Sequence, residues 1–218
     1  MTHPIWPLFD LRVRTPRLEM RYIDDEMAMD LALLAAKGIH PPGVMPFAMP
    51  WSEVPSPLQE RNTMQFYWRS RADVSPAKWS MELAVLVDGV VVGTSGLMTS
   101  EFQVLRTFET GSWLGREHQG KGIGKEMRIA TLHLGFDGFG GQRATTCAWE
   151  DNGPSLGVTN SLGYVANGQR SAVRKDVAST MRLFEMSRND FMARLHRDDI
   201  TLHGVEDCLP LLGLDTAP

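Results

Sequence analysis

The sequence predicts a mixed α/β fold. Extended and helical runs alternate along the chain, one tight hairpin joins two apolar strands, and a strand, a glycine loop and a helix follow one another past its middle. In order, residues 1–14 carry Trp6, Leu8, Phe9, Leu11 and Val13, too apolar for a free tail, so an arm packed along the domain is expected. Arg17 to Ile23 reads as a first strand, since Leu18, Met20 and Tyr22 share one parity. Asp24 is placed to cap a helix whose first turn holds Asp25 and Glu26 at its positive end. Met27, Leu31 and Leu34 share a face of that helix. Six prolines between Gly38 and Pro57 exclude regular helix or central strand, while Phe47 and Trp51 are too apolar for a linker, so the stretch is an ordered loop. A second helix starts at Ser56 or Pro57 and ends near Arg71.

Met81 to Val87 and Val90 to Leu97 form a hairpin, because Asp88-Gly89 supplies the positive φ angles of a two-residue turn. Val104 to Leu114 is the next strand, with Glu109, Gly111 and Trp113 on one side and Thr110, Ser112 and Leu114 on the other. After the glycine loop a helix runs from Lys125 to Phe139, followed by a short strand from Arg143 to Trp149. Asn152-Gly153-Pro154 opens a helix that stops at Gly163. Tyr164 to Arg174 and Ser179 to Met186 are the last strands, giving about seven in all. The tail, residues 196–218, carries Ile200, Leu202, Val205, Leu209, Leu211 and Leu212 and should dock on this or a neighbouring subunit.

The chain has 218 residues, 43% apolar and 22% charged, which suits one domain spanning 1–218. A net charge of −4 lacks the basic face that nucleic acid requires. Two cysteines, Cys147 and Cys208, read as reduced thiols of a cytoplasmic protein, and neither an export signal nor a membrane-length apolar run is visible. No His and Cys residues stand at metal-ligand spacing, so no metal is expected.

Gln119-Gly120-Lys121-Gly122-Ile123-Gly124 reads as a phosphate cradle. Glycines let the backbone amides approach an anion, and the next helix adds unpaired N–H groups and its dipole. Lys121 and Lys125 reinforce the sign. The spacing does not fit a dinucleotide fingerprint, and Gly124-Lys125 is followed by Glu126 where a nucleoside-triphosphate loop needs Ser or Thr. A plain glycine-rich turn is the other reading.

Gln119-x-x-Gly122-x-Gly124 between strand and helix resembles the acyl-coenzyme A signature of the GCN5-related N-acetyltransferases (GNAT). Thr15-Pro16-Arg17-Leu18, Ser112-Trp113-Leu114-Gly115, and Asn152-x-x-Ser155 leading to Leu162-Gly163-Tyr164 resemble the branch of that family containing the ribosomal-protein N-terminal acetyltransferases. Trp6-Pro7-Leu8-Phe9-Asp10 and the loop Met45 to Trp51 look like an actinobacterial subgroup, which adds succinyl-coenzyme A to acetyl-coenzyme A as expected donor. The resemblance implies a mixed sheet of about seven strands, splayed at its centre and flanked by about four helices. It implies that the backbone of Ser112, Trp113 and Leu114 grips the pantetheine arm and that residues 119–125, Ile123 among them, hold the diphosphate. Asn152 would hold the arm and Ser155 would donate to the leaving sulfur. The loop from Gly38 to Pro57 lies where the family builds its acceptor wall.

Acyl transfer to an amine also needs a proton acceptor, since amines are protonated at neutral pH. Glu109 is the first candidate, with Glu82, Glu101, Glu150 and Asp151 as competitors and a solvated surface charge as the plain alternative for each. Ser155 has its own plain alternative, a hydroxyl bonded to backbone in the first helical turn. The expected activity is direct transfer to a small-molecule amine, a protein N-terminus or a lysine, by a homo-oligomer. The other reading is a non-catalytic acyl-coenzyme A sensor, which needs neither Ser155 nor the acids.

Overall fold

The computed structural model describes residues 3–214, so the outermost residues of the arm and tail lie outside the described residues. Nine strands form one sheet in the order β7-β8-β6-β5-β4-β3-β2-β1-β9. They are β1 (Arg12–Arg14), β2 (Glu19–Tyr22), β3 (Lys78–Val87), β4 (Val90–Ser100), β5 (Thr107–Leu114), β6 (Arg143–Trp149), β7 (Val165–Arg174), β8 (Val177–Ser187) and β9 (Thr201–His203). The helices are α1 (Asp25–Ala36), α2 (Leu58–Ala72), the single turns α3 (Phe102–Leu105) and α7 (Val205–Cys208), α4 (Ile123–His133), α5 (Gly153–Ser161) and α6 (Arg188–Arg194).

The sheet has two strands more than the sequence suggests, because the arm and the tail each supply three residues. β1 pairs antiparallel with β2 on one side and with β9 on the other. Leu8, Leu11, Cys208 and Leu212 are buried on the same chain. The tail's apolar residues are thus used internally and give no ground for a second copy. Val104 and Leu105 belong to α3 and not to the strand; Glu101 and Arg106 flank that turn with φ of 54° and 49°. The long helix after the loop ends as α-helix at His133 and continues as a π turn, Leu134–Gly138.

Two faces of the sheet matter. On one, α4 and the π turn that continues it bury Met127, Ala130 and Leu134 against Val85, Leu97, Phe108 and their neighbours. On the other, α1 and α2 close over Ala84, Leu86 and Trp113 with Met27, Leu31 and Tyr67. α1 begins as its sequence implies, Asp24 Oδ1 accepting the Met27 N–H at 2.8 Å. No described helix is long and apolar enough to cross a membrane.

The sheet parts at its centre. β5 and β6 are parallel and pair only at Thr107 with Arg143, Phe108 with Ala144 and Glu109 with Thr145. Beyond that point side chains replace the ladder: the Thr146 hydroxyl donates to the Thr110 carbonyl at 3.1 Å. β5 then runs on to Leu114 beside β4 alone, leaving its other edge without a strand partner.

Candidate active site

The loop from residue 119 to 124 sits at the free end of β5. Gly120 and Gly122 have φ of +73° and +79°, a region costly for any residue with a Cβ. Gly122 is also the residue before α4, which has no side-chain cap. The first amides of α4 therefore point out of the loop unpaired, at the positive end of the helix dipole. Gly124 has an ordinary backbone, and a Cβ there would only touch Leu114 and Val158 at 3.8 Å. The packing of the free protein therefore does not require its missing side chain. Lys121 and Lys125 are exposed. These features fit a diphosphate.

Two long-range contacts hold the loop. The Gln119 side-chain amide donates to the carbonyls of Ile39 at 2.8 Å and Leu114 at 2.9 Å. It fastens the loop to the end of β5, so its amide is engaged with the protein's own backbone. Arg17 donates to Glu126 Oε2 at 2.7 Å and to the Lys121 carbonyl at 3.3 Å. Thr15 adds a hydroxyl to the other carboxylate oxygen at 2.5 Å. Arg17 and Glu126 are 109 residues apart in the chain, and the sequence gives no local sign of their pairing.

Asn152 and Ser155 start α5. The Asn152 side chain accepts the Ser155 N–H at 3.3 Å, so Asn152 is the helix cap. The Ser155 hydroxyl is half-buried and has no hydrogen-bond partner among the described residues. The plain alternative, in which this hydroxyl is occupied by backbone, is therefore not what the fold builds. Val158 on α5 lies near Gly124 on α4, so the two helix starts flank the opening between β5 and β6.

β5 alternates without a bulge against β4, from Met98 opposite Glu109 to Gly93 opposite Leu114. Thr110 and Leu114 are buried toward α4, with Ser112 of the same parity between them. Glu109 and Trp113 emerge on the α1/α2 side. Trp113 packs against Trp51, ring centres 5.8 Å apart, and Trp51 against Phe47 at 5.1 Å. The proline-rich loop thus lies on β5, and it reaches β6 and the β7–β8 hairpin as well. Trp149 Nε1 donates to the Phe47 carbonyl at 3.2 Å, and Lys175 pairs with Glu53. Arg174 lies over the Trp149 ring and holds both carboxylate oxygens of Asp151. The loop bridges the parted strands on this face.

Glu109 is exposed and accepts the Cys147 thiol at 3.3 Å. Burial, and then the Glu109 charge, push that thiol up to about 11, so it stays protonated and unreactive at neutral pH. Glu101, Glu150 and Asp151 stand at exposed turns. Glu82, placed among the competitors by sequence, is half-buried on the same face as Glu109, and the sequence holds no sign of that burial except Gly96 opposite it. At the base of the opening, Arg128 of α4 is buried. It donates to the Thr110 hydroxyl at 3.0 Å and lies over the Tyr164 ring, its Nε unpartnered.

A family model described as an acetyltransferase (GNAT) domain matches residues 17–165, which run from Arg17 to the start of β7 and include the loop, the parted strands and the start of α5. Solved structures agree in fold. The acetyltransferase (GNAT family) from Bacillus anthracis has a TM-score of 0.63 at 17% identity, over 82% of this chain and 99% of that one. The Microcin C7 self immunity acetyltransferase MccE, in complex with acetyl-CoA and AMP, gives 0.65 at 19%, over 79% and 93%. Mycobacterium smegmatis RimJ, in complex with CoA-disulfide, gives 0.66 at 15%, over 86% and 95%. With two thirds of its length matched by that model, and with an uncapped helix end facing a parted sheet, the chain belongs to the GNAT acetyltransferase family.

Proposed function

We propose that the protein is an N-acyltransferase carrying an acetyl or succinyl group from coenzyme A to a primary amine, by direct attack within a ternary complex. The observation that carries this reading is the separation of β5 from β6 after Glu109 and Thr145, beside the uncapped start of α4. The acyl-coenzyme A would supply an activated thioester. The amides of Ile123, Gly124 and Lys125, with Lys121, would hold its diphosphate, and the free edge of Ser112, Trp113 and Leu114 its arm. Ser155 would donate to the leaving sulfur, since its hydroxyl is free and flanks the opening. The amine would enter from the α1/α2 side, past Trp51 and Trp113, toward the carboxylates of Glu109 and Glu82.

A succinyl donor brings a second charge that must be met. Arg170 of β7 supports that choice: among the described residues its guanidinium donates only to the Met181 sulfur, at 3.4 Å, and its charge acts on Cys147 beside Glu109. The sensor reading has no such support from Ser155, whose hydroxyl would then serve nothing.

The test is calorimetric titration with coenzyme A, acetyl-coenzyme A and succinyl-coenzyme A, followed by thiol release in the presence of amines. Binding tighter than millimolar, which corresponds to about 4 kcal/mol, is expected for all three. A tenfold preference for succinyl-coenzyme A, about 1.4 kcal/mol, assigns the donor. Binding without thiol release from any amine favours the sensor.

A further inference from the structure

Glu82 stands on the α1/α2 side of β3, opposite Gly96 of β4, and Gly96 stands opposite Gly111 of β5. That row carries no side chain between β3 and the parting strand. The Glu82 carboxyl therefore lies down across β4: a Cβ on Gly96 would come within 2.8 Å of its Oε2. It lies over Gly96, in the row that ends at Gly111, two residues beyond the last residue of β5 that pairs with β6; the Met98 methyl covers Gly111 itself, 3.1 Å from where a Cβ there would stand. The Ser80 hydroxyl donates to Oε1 at 2.7 Å, while Oε2 has no hydrogen-bond partner among the described residues. No lysine or arginine pairs with this carboxyl among them. On its own face the titratable groups nearest it are Tyr67 from α2 and, two strands away beside Met98, Glu109 from β5; Tyr22 of β2, paired with Leu83 on the α4 side, feels its charge through the sheet. Burial pushes both phenols up, so they are neutral at pH 7.

We infer that Glu82 is the group that takes the proton from the acceptor ammonium, with Ser80 as the residue that positions its carboxyl; this rests on the acyltransferase reading above. Glu109, by contrast, is solvated and already accepts the Cys147 thiol. Burial raises Glu82 above the ordinary carboxylate range, against the pull of Ser80, and so toward the pH at which it must work. The ammonium passes one proton to Oε2 and becomes a nucleophile. Its C–N bond forms as the thioester C–S bond breaks. Of the two protons the nitrogen gives up, one balances the released thiol and the other returns from Glu82 to solvent.

The experiment is the pH profile of kcat/KM by thiol release from acetyl-coenzyme A, with spermidine, lysine amide and a peptide bearing a free N-terminal serine as probe amines. Carbon NMR titration of the glutamate carboxyls, assigned by loss of one resonance in Glu82→Gln, accompanies it. Glu82→Gln should lower kcat/KM about 100-fold at pH 7 and abolish the acidic limb. Ser80→Ala, which removes a bond to the charged form, should move the limb to higher pH, and Glu109→Gln should retain it. The Glu82 resonance should titrate above the other glutamates. An acidic limb unchanged in Glu82→Gln, or a Glu82 resonance in the ordinary range, overturns the assignment while leaving acyl transfer standing. Wild-type protein that binds coenzyme yet releases no thiol with any of the three amines overturns the acyltransferase reading and the base with it.

Discussion

Arg17 grips Glu126 through two nitrogens, Nε at 2.7 Å and Nη2 at 2.5 Å, and so ties the turn between β1 and β2 to the first turn of α4. Glu126 is 7% exposed, and its carboxylate stands where a bound diphosphate would feel its charge. Acids normally suit a helix N-terminus, but an acid here would compete with the anionic ligand proposed for the loop. Arg17 resolves the conflict by neutralising Glu126 while also holding the Lys121 carbonyl.

Arg17→Ala should therefore weaken coenzyme A about tenfold and lower stability by ~1–2 kcal/mol. The stability loss is smaller than for a fully buried pair because the arginine side chain is half exposed. Arg17→Lys should recover little, since an ammonium cannot reproduce the fork. Adding Glu126→Gln to Arg17→Ala should restore most of the coenzyme affinity by removing the naked charge. Calorimetric titration of the three variants, with thermal melts, checks the cycle; an Arg17→Ala protein that binds as tightly as wild type denies the loop its clamp.

Asn152 and Ser155 make a pair whose roles separate cleanly. The cap belongs to the Asn152 side chain and the Ser155 amide, not to the Ser155 hydroxyl. Ser155→Ala should leave the melting temperature within about 1 °C of wild type and lower kcat roughly 100-fold. Asn152→Ala should cost about 1 kcal/mol, equivalent to ~2–4 °C for a chain of this size. A Ser155→Ala enzyme of unchanged kcat removes that hydroxyl from the chemistry.

The elements that were legible are those whose signal is local. The hairpin at Asp88-Gly89, the cap at Asp24, the helix opening at Asn152 and the alternation of β5 each depend on neighbours a few residues away, and each stands where the sequence puts it. β1 and β9 were not legible because three residues carry no period. α3 was missed because the turn rests on Glu101 and Arg106 in the left-handed region, where no glycine marks it. In the site, the glycines of the loop announce themselves, but Gln119 reads as a ligand group and serves as a staple. The Arg17–Glu126 clamp and the recumbent Glu82 depend on which strands become neighbours. Neither has a counterpart in sequence spacing.

The far end of α4 makes stability depend on pH. His133 is buried, its Nδ1 3.0 Å from Asp137 Oδ2 and its Nε2 accepting the Arg197 backbone N–H at 3.2 Å. Both nitrogens are used, with the single proton on Nδ1. The His196 ring packs beside it at a tilt, Arg188 holds Asp137, and Arg197 is paired with Asp199. A second proton on Nε2 would point an N–H at an N–H. Burial accordingly lowers His133 from its ordinary value of 6.5, and Asp137 offsets only part of that. A base whose pKa is depressed on folding is protonated first in the unfolded chain, so as pH falls through about 6.5 the unfolded state binds the extra proton and stability drops. The melting temperature should be flat from pH 8 to 7 and decline toward pH 5.5, before the carboxylates titrate. His133→Gln should melt lower at pH 7.5, having lost a buried ring, and lose the His133 share of the decline. The check is melts of both proteins at four pH values between 8 and 5.5. An equal slope in the variant places the acid sensitivity elsewhere.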